Sequence, residues 1–109
     1  MTITREGVLE RMKDEDTVLL NVMSEGEYRE RHIRGSANLP WGGDPGVFTR
    51  EAGKRYGKGK FFITYGSNIT SHAAIDAAAA LHEGGFEVEA YLSGLKEWNG
   101  GKFPAEGAP

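Results

Sequence analysis

An α/β fold with a central, mainly parallel sheet is what this sequence predicts, on three observations. Compact apolar runs at residues 17–22 and 61–65 have the length and composition of buried strands, and residues 88–92 read as another strand. The stretches between them carry helical spacing and are bounded by capping residues and glycines. Strands alternating with helices imply right-handed βαβ units, here about five strands with helices on both faces. The chain has 109 residues, 39% hydrophobic and 27% charged, with no internal repeat and no linker. It therefore reads as one domain over residues 1–109, large enough for a core without metals or disulfides.

The elements follow in order. Thr4 suits an N-cap with Glu6 in the first turn, and Val8, Leu9 and Met12 give an apolar stripe ending near Lys13. The first strand, residues 17–22, leads to Ser24, which with Glu27 three places on forms a capping box. On that helix Glu25–Arg29, Glu27–Arg31 and Glu30–Arg34 have the i,i+4 spacing of favourable pairs on a solvated face. Gly35 ends it, residues 36–39 read as a short strand before Pro40, and residues 41–46 form a turn-rich loop. A helix over residues 47–56, the strand at 61–65 and a helix from about 71 to 83 come next. Gly84-Gly85 stops that helix with a left-handed C-cap. The strand at 88–92 and a short helix at 94–98 complete the fold.

Composition excludes several functions. A net charge of −3 gives no reason to propose nucleic acid or an anionic membrane as partner. The absence of cysteine removes disulfides, thiolate metal sites and thiol catalysis by this chain. Three dispersed histidines lack metal-site spacing, so no metal and no cofactor is expected. Residues 1–16 are charged throughout, without the apolar core of a secretory signal, and no apolar run is long enough to cross a bilayer. A cytoplasmic location is the expectation. Arg50, Lys54, Arg55, Lys58 and Lys60, against the single acid Glu51, make a locally basic run, read as a solvated helix face.

The most informative stretch is residues 61–74, a buried strand, a polar loop and an alanine-rich helix. The loop is Gly66, Ser67, Asn68, Ile69, Thr70 and Ser71, with His72 at the helix start. In an α/β protein such a junction points backbone N–H groups at an anion. Ser67 and His72 are five places apart and no orienting carboxylate is evident, so a Ser–His nucleophile is not supported. Thr70 or Ser71 is instead read as the helix cap, His32 as a structural residue after its helix, and His82 as a surface residue.

Three segments together resemble the rhodanese-like (sulfurtransferase) domain. The first runs Leu20-Asn21-Val22-Met23-Ser24-Glu25-Gly26-Glu27-Tyr28 and on through His32-Ile33-Arg34-Gly35-Ser36-Ala37-Asn38-Leu39-Pro40. It is similar to the family's D-V-R, E-[FY] and G-H-I-x-G-A-x-N-[IL]-P. The second is the strand, loop and helix at 61–81, in the family's active-loop position. The third comprises Gly85-Phe86, Val88, Tyr91-Leu92-Ser93-Gly94, Trp98 and Pro104, similar to the family's closing G-[FY], valine strand, L-x-G-G-x-x-x-W and G-x-P. Gly101 falls one place too early for that last motif. Trp98 and Phe103 are themselves read as core aromatics covering the sheet edge.

The resemblance implies a sulfurtransferase scaffold whose loop cysteine carries a persulfide. Aligning Tyr65 with the strand end and Ala73-Ala74 with the helix puts Gly66 at that cysteine's position. Glycine has no side chain to bear sulfur, so the covalent step has no residue there. The family's early aspartate and arginine correspond to Asn21 and Met23, and Ser93 replaces the first glycine of the late pair while Gly94 keeps the second. Residues 66–71 hold no Lys or Arg. The implied role is a binding or regulatory module, a pseudoenzyme with a vestigial anion-binding loop, its partner a protein or a small oxyanion. The alternative is a thiosulfate-type sulfurtransferase whose cysteine is replaced in this copy. A phosphatase or arsenate-reductase reading needs both a cysteine and a loop arginine, and ranks last.

Overall fold

The computed structural model describes residues 2–68, 72–101 and 103–107. In chain order its elements are α1 (Arg5–Arg11), β1 (Thr17–Asn21), α2 (Glu25–Glu30), β2 (His32–Ile33), β3 (Ala37–Asn38), α3 (Pro45–Tyr56), β4 (Phe61–Tyr65), α4 (Ala73–Glu83), β5 (Glu87–Tyr91), α5 (Gly94–Gly100) and β6 (Ala105–Glu106). The apolar runs of β1 and β4 pair side by side at the centre of the sheet, while β5 keeps Glu87 and Glu89 on one of its faces. The main sheet is wholly parallel, ordered β3-β1-β4-β5, with Asn21 opposite Tyr65 and Tyr65 opposite Tyr91. It has four strands, not about five. Beyond β5 the N-terminal segment adds one isolated bridge, Thr2 to Ala90, before Thr4 turns the chain into α1. β2 and β6 form a separate two-residue antiparallel pair.

Strand alternation divides the core between the two faces. Leu20, Val22, Phe62, Val88 and Ala90 face α3 and α4, which contribute Phe48, Ala52, Ala74, Ala77, Ala78 and Leu81. Leu19, Ile63, Tyr65 and Tyr91 face the other way, onto Val8 of α1, Ile33 and Trp98 of α5. Small alanines let α4 lie close to the sheet, while the opposite face is filled by aromatic rings. Trp98 is buried, stands 5.1 Å from Phe103 and donates its indole N–H to the Pro104 carbonyl at 2.7 Å.

Helix ends follow local chemistry. Thr4 Oγ1 accepts from Gly7 N at 3.1 Å, and Ser24 with Glu27 forms the complete capping box. Asp44 accepts from Val47 N ahead of Pro45, so α3 begins two residues before the predicted start. Gly85, with φ 89°, lets Phe86 N reach the Leu81 carbonyl at 3.0 Å and close α4. Of the three predicted ion pairs on α2, only Glu25–Arg29 forms, at 3.7 Å. The helix stops at Glu30 and Arg31 is extended, so the helical spacing beyond it is lost. Arg31 donates instead to Asn99, and Arg34 lies 3.9 Å from Glu106. His32 is structural, stacked on Tyr28 at 3.9 Å with Nδ1 on the Tyr28 carbonyl, and His82 is exposed. Among the described residues no helix is long and apolar enough to cross a membrane.

Candidate functional site

β1 leads the chain to β3 on one side of it, and β4 leads to β5 on the other. Their carboxyl ends therefore part at a topological switch point, the place where open α/β sheets bind ligands. Asn21, Val22 and Met23 leave β1 there, and Gly66, Ser67 and Asn68 leave β4 beside them. The predicted anion loop thus starts at the crevice. Ile69, Thr70 and Ser71, with the predicted cap at Thr70 or Ser71, lie outside the described residues. His72 is exposed at the N-cap of α4 and its side chain makes no cap hydrogen bond.

Gly66 and Ser67, at the loop's entry, are anchored by backbone hydrogen bonds. Gly66 is buried, and its carbonyl accepts from Leu95 N at 3.0 Å. The Ser67 carbonyl accepts from Lys96 N at 2.8 Å. These two N–H groups belong to the first turn of α5 and have no partner within that helix. Gly94 makes the approach possible. Its φ is +64°, and a Cβ there would stand 2.5 Å from the Gly66 oxygen. Gly94, which matches the second glycine of the late pair, is therefore a contact with the loop, while Ser93 precedes it as N-cap of α5. The same turn brings up Lys96, an exposed cation with no ion pair among the described residues, beside a loop that has none of its own.

Beneath the crevice is a buried polar knot centred on Tyr65. Its hydroxyl accepts from Asn21 Nδ2 and from Ile33 N, each at 3.0 Å. Both acceptor positions being filled, its own proton goes to Ser36 Oγ at 2.8 Å, and Ser36 in turn donates to the Ile33 carbonyl at 2.7 Å. Asn21 Oδ1 accepts from Met23 N at 2.9 Å, and Asn38 Nδ2 donates to the carbonyls of Asn21 and Met23. Burial pushes the Tyr65 hydroxyl above the usual phenol range, partly offset by its hydrogen bonds to Ser36 and Asn21. Asn21 is fully buried and uncharged, and Met23, also buried, brings no cation beside it. Sequence reasoning singled out Asn21 and Met23 but missed Ser36, Asn38 and Tyr65 as their partners. The one signal available was that all three lie within the segments resembling the family.

The basic run at 50–60 is largely occupied. Arg55 pairs with Glu51 at 3.0 Å, which raises its pKa, Lys60 lies 3.4 Å from Asp16, and Lys58 sits over the Phe86 ring. No three metal-binding side chains cluster among the described residues.

Comparison with known proteins fits this geometry. No curated protein matches the chain. The BH2092 protein of Bacillus halodurans is similar in structure at a TM-score of 0.85, with 24% identity over 97% of this chain and 76% of its own. The rhodanese-like domain of the Alr3790 protein from Anabaena sp. gives 0.81, with 22% identity over 98% of this chain and 79% of its own. A rhodanese-related protein of Thermoplasma volcanium gives 0.78, with 19% identity over 96% of both chains. At these identities the likeness speaks for the fold. Family comes from the sequence itself, since the rhodanese-like domain pattern matches residues 4–100. The chain, which holds no cysteine, belongs to the rhodanese-like domain family.

Proposed function

We propose that this protein is a rhodanese-like domain without sulfur-transfer chemistry, a pseudoenzyme acting as a binding or regulatory module. The observation that carries the reading is the absence of any cysteine, with Gly66 at the exit of β4 where the family's nucleophile stands. A persulfide needs a thiolate, and neither the loop nor any other part of the chain supplies one. The neutral knot of Asn21 and Tyr65 supports the same reading, because the family's charge pair has become an amide and a thioether. What the loop retains is its setting, with Gly66 and Ser67 anchored on α5 and Lys96 alongside. That setting favours a small oxyanion or an acidic group of a protein partner as the ligand. The test is sulfur transfer from thiosulfate to cyanide by the purified protein. We expect no turnover above a heat-killed control, and turnover above it refutes the proposal.

A second reading is favoured by the intact backbone anchorage of Gly66: a sulfurtransferase whose cysteine is replaced in this copy. The codon for residue 66 in the source gene separates the two. The anchored loop also predicts that Gly66→Cys yields a thiol with a pKa below the free value of about 8.5, read by the pH dependence of alkylation. A profile matching free cysteine would remove the loop geometry from both readings.

A further inference from the structure

The chain between β3 and α3 folds around a hollow of its own. Leu39 N donates to the Asn21 carbonyl at 2.9 Å and Trp41 N to the Val22 carbonyl at 3.1 Å, which ties residues 39–41 beside the end of β1. Gly42 and Gly43, with φ of 67° and 89°, then turn the chain into Asp44, the N-cap of α3. Asp44, Val47, Phe48 and Glu51 follow at i, i+3, i+4 and i+7, along one face of the helix. Between that face and residues 39–42 is a cavity of about 300 Å³, with no described residue of the 66–72 loop in its lining. Its walls are apolar. Phe48 is buried and holds Trp41 edge-on, ring centroids 5.3 Å apart at 69°, yet Trp41 itself stays half-buried. Val47, at 55%, is the most exposed large hydrophobic side chain among the described residues. The only charged side chains in the lining are Asp44 and Glu51. Asp44 gives one oxygen to Val47 N and makes no ion pair among the described residues. Glu51 holds Arg55 through Oε1, while its Oε2 takes no hydrogen bond among the described residues, and Arg55 is outside the lining.

This lining selects by chemistry. Two carboxylates repel an anion, and apolar walls with an indole ring offer little to a strongly hydrated ion. A guanidinium meets both conditions, because it is cationic, weakly hydrated and flat enough to stack on an aromatic ring. Its methylene stem also covers apolar surface. The dipole of α3 leaves about half a positive charge at this end, which the whole charge on Asp44 outweighs. We propose that the hollow is a docking site for an arginine side chain of a partner protein, flanked there by apolar residues. The guanidinium meets Trp41, Asp44 and Glu51, and the stem and its apolar neighbours cover Leu39 and Val47. The rim decides for a protein over a free molecule. Pro40, Gly42, Asp44 and Val47 are all exposed, so a small ligand keeps much of its surface in water, whereas a partner's surface closes over them. This inference is independent of the 66–72 loop and stands whether or not that loop holds an anion.

The test is a titration of isotope-labelled protein, followed by NMR, with a capped leucyl-arginyl-leucine peptide. The same peptide with citrulline, the uncharged isostere of arginine, is the control for charge, and ethylguanidinium is the control for a free cation. We expect the arginine peptide to shift the Trp41 indole N–H and the Val47 methyl signals. The other tryptophan, Trp98, is buried on the opposite face of the sheet and should not respond. The citrulline peptide should bind about tenfold more weakly, having lost the ion pairs and the cation–ring attraction, and ethylguanidinium should produce the same shifts only at higher concentration. Asp44→Asn, which keeps a capping side chain, and Glu51→Gln should each weaken binding about threefold. Equal binding of the arginine and citrulline peptides overturns the proposal, as does unchanged binding by both variants. Ethylguanidinium binding as tightly as the peptide removes the protein partner, and Trp41 shifts that grow with protein concentration alone replace it with a second copy of this chain.

Discussion

The two faces of the sheet are stabilised by different chemistry, although β4 contributes to both. Toward α3 and α4, Phe62 is wedged between Tyr56 and Phe86 at ring separations of 5.9 and 5.2 Å. The only buried polar side chain of that strand on this side, Thr64, is satisfied by one hydrogen bond to the Ala74 carbonyl. Toward α1 and α5 the same strand ends in Tyr65, whose hydroxyl joins three partners from two segments of chain. The first face depends on volume and area, and many apolar side chains can provide those. The second depends on which atom donates and which accepts, so few substitutions preserve it. It is the second face that reaches the crevice between β1 and β4, the candidate site.

Three substitutions would break or sharpen this contrast. Phe62→Ala should have the largest effect, about 3–5 kcal/mol for a large ring removed from a packed core, measured by urea unfolding. A loss below that of the Tyr65 variant would reverse the ranking of the faces. Tyr65→Phe keeps the ring but leaves Asn21 Nδ2 and Ile33 N without an acceptor, at about 2–4 kcal/mol. It also changes the response to alkali. The folded state holds the Tyr65 hydroxyl above its unfolded value of about 10. Its contribution is therefore full below that pH and is lost as pH rises through the folded value. Stability of the parent should fall above about pH 10, and the variant should fall less steeply. Tyr91, raised by burial and by its hydrogen bond to Glu97, keeps part of the slope in both.

Asn21→Asp should cost least, about 1–3 kcal/mol at neutral pH, since a carboxylate cannot donate to Tyr65 and is buried without a cation. Burial raises the carboxyl in the folded state, so the loss is full above that raised value and shrinks as pH falls from it toward the unfolded value of about 4. Unfolding midpoints that do not change between neutral and acid pH would show that the site accepts charge.

Much of the fold was legible in the sequence because it is local. The capping box of Ser24 and Glu27, the cap at Thr4 and the glycine stop at Gly85 each involve residues within one turn, and all three form. The apolar runs of β1 and β4 are long enough to announce buried strands. What escaped is non-local. His32 pairs with Glu106 and Ile33 with Ala105 across most of the chain, in strands of two residues that carry no periodicity. The helical spacing of Glu27 with Arg31 was misleading because α2 ends at Glu30, a boundary no strong breaker marks. At the site, Gly66, Asn21 and Met23 could be named from the resemblance. The direction of the hydrogen bonds around Tyr65 could not, since it depends on Ser36 and Ile33 arriving from a different segment.

The anchorage of Gly66 and Ser67 on α5 uses main-chain atoms only, as does the close approach of Gly94. The path of the polypeptide at the tip of β4 is thereby uncoupled from whichever side chain happens to stand there. A nucleophile can vanish from such a position without the surrounding framework collapsing, and by the same logic one can be reinstalled. On the proposed reading, the architecture is a socket whose form does not depend on the side chain at residue 66.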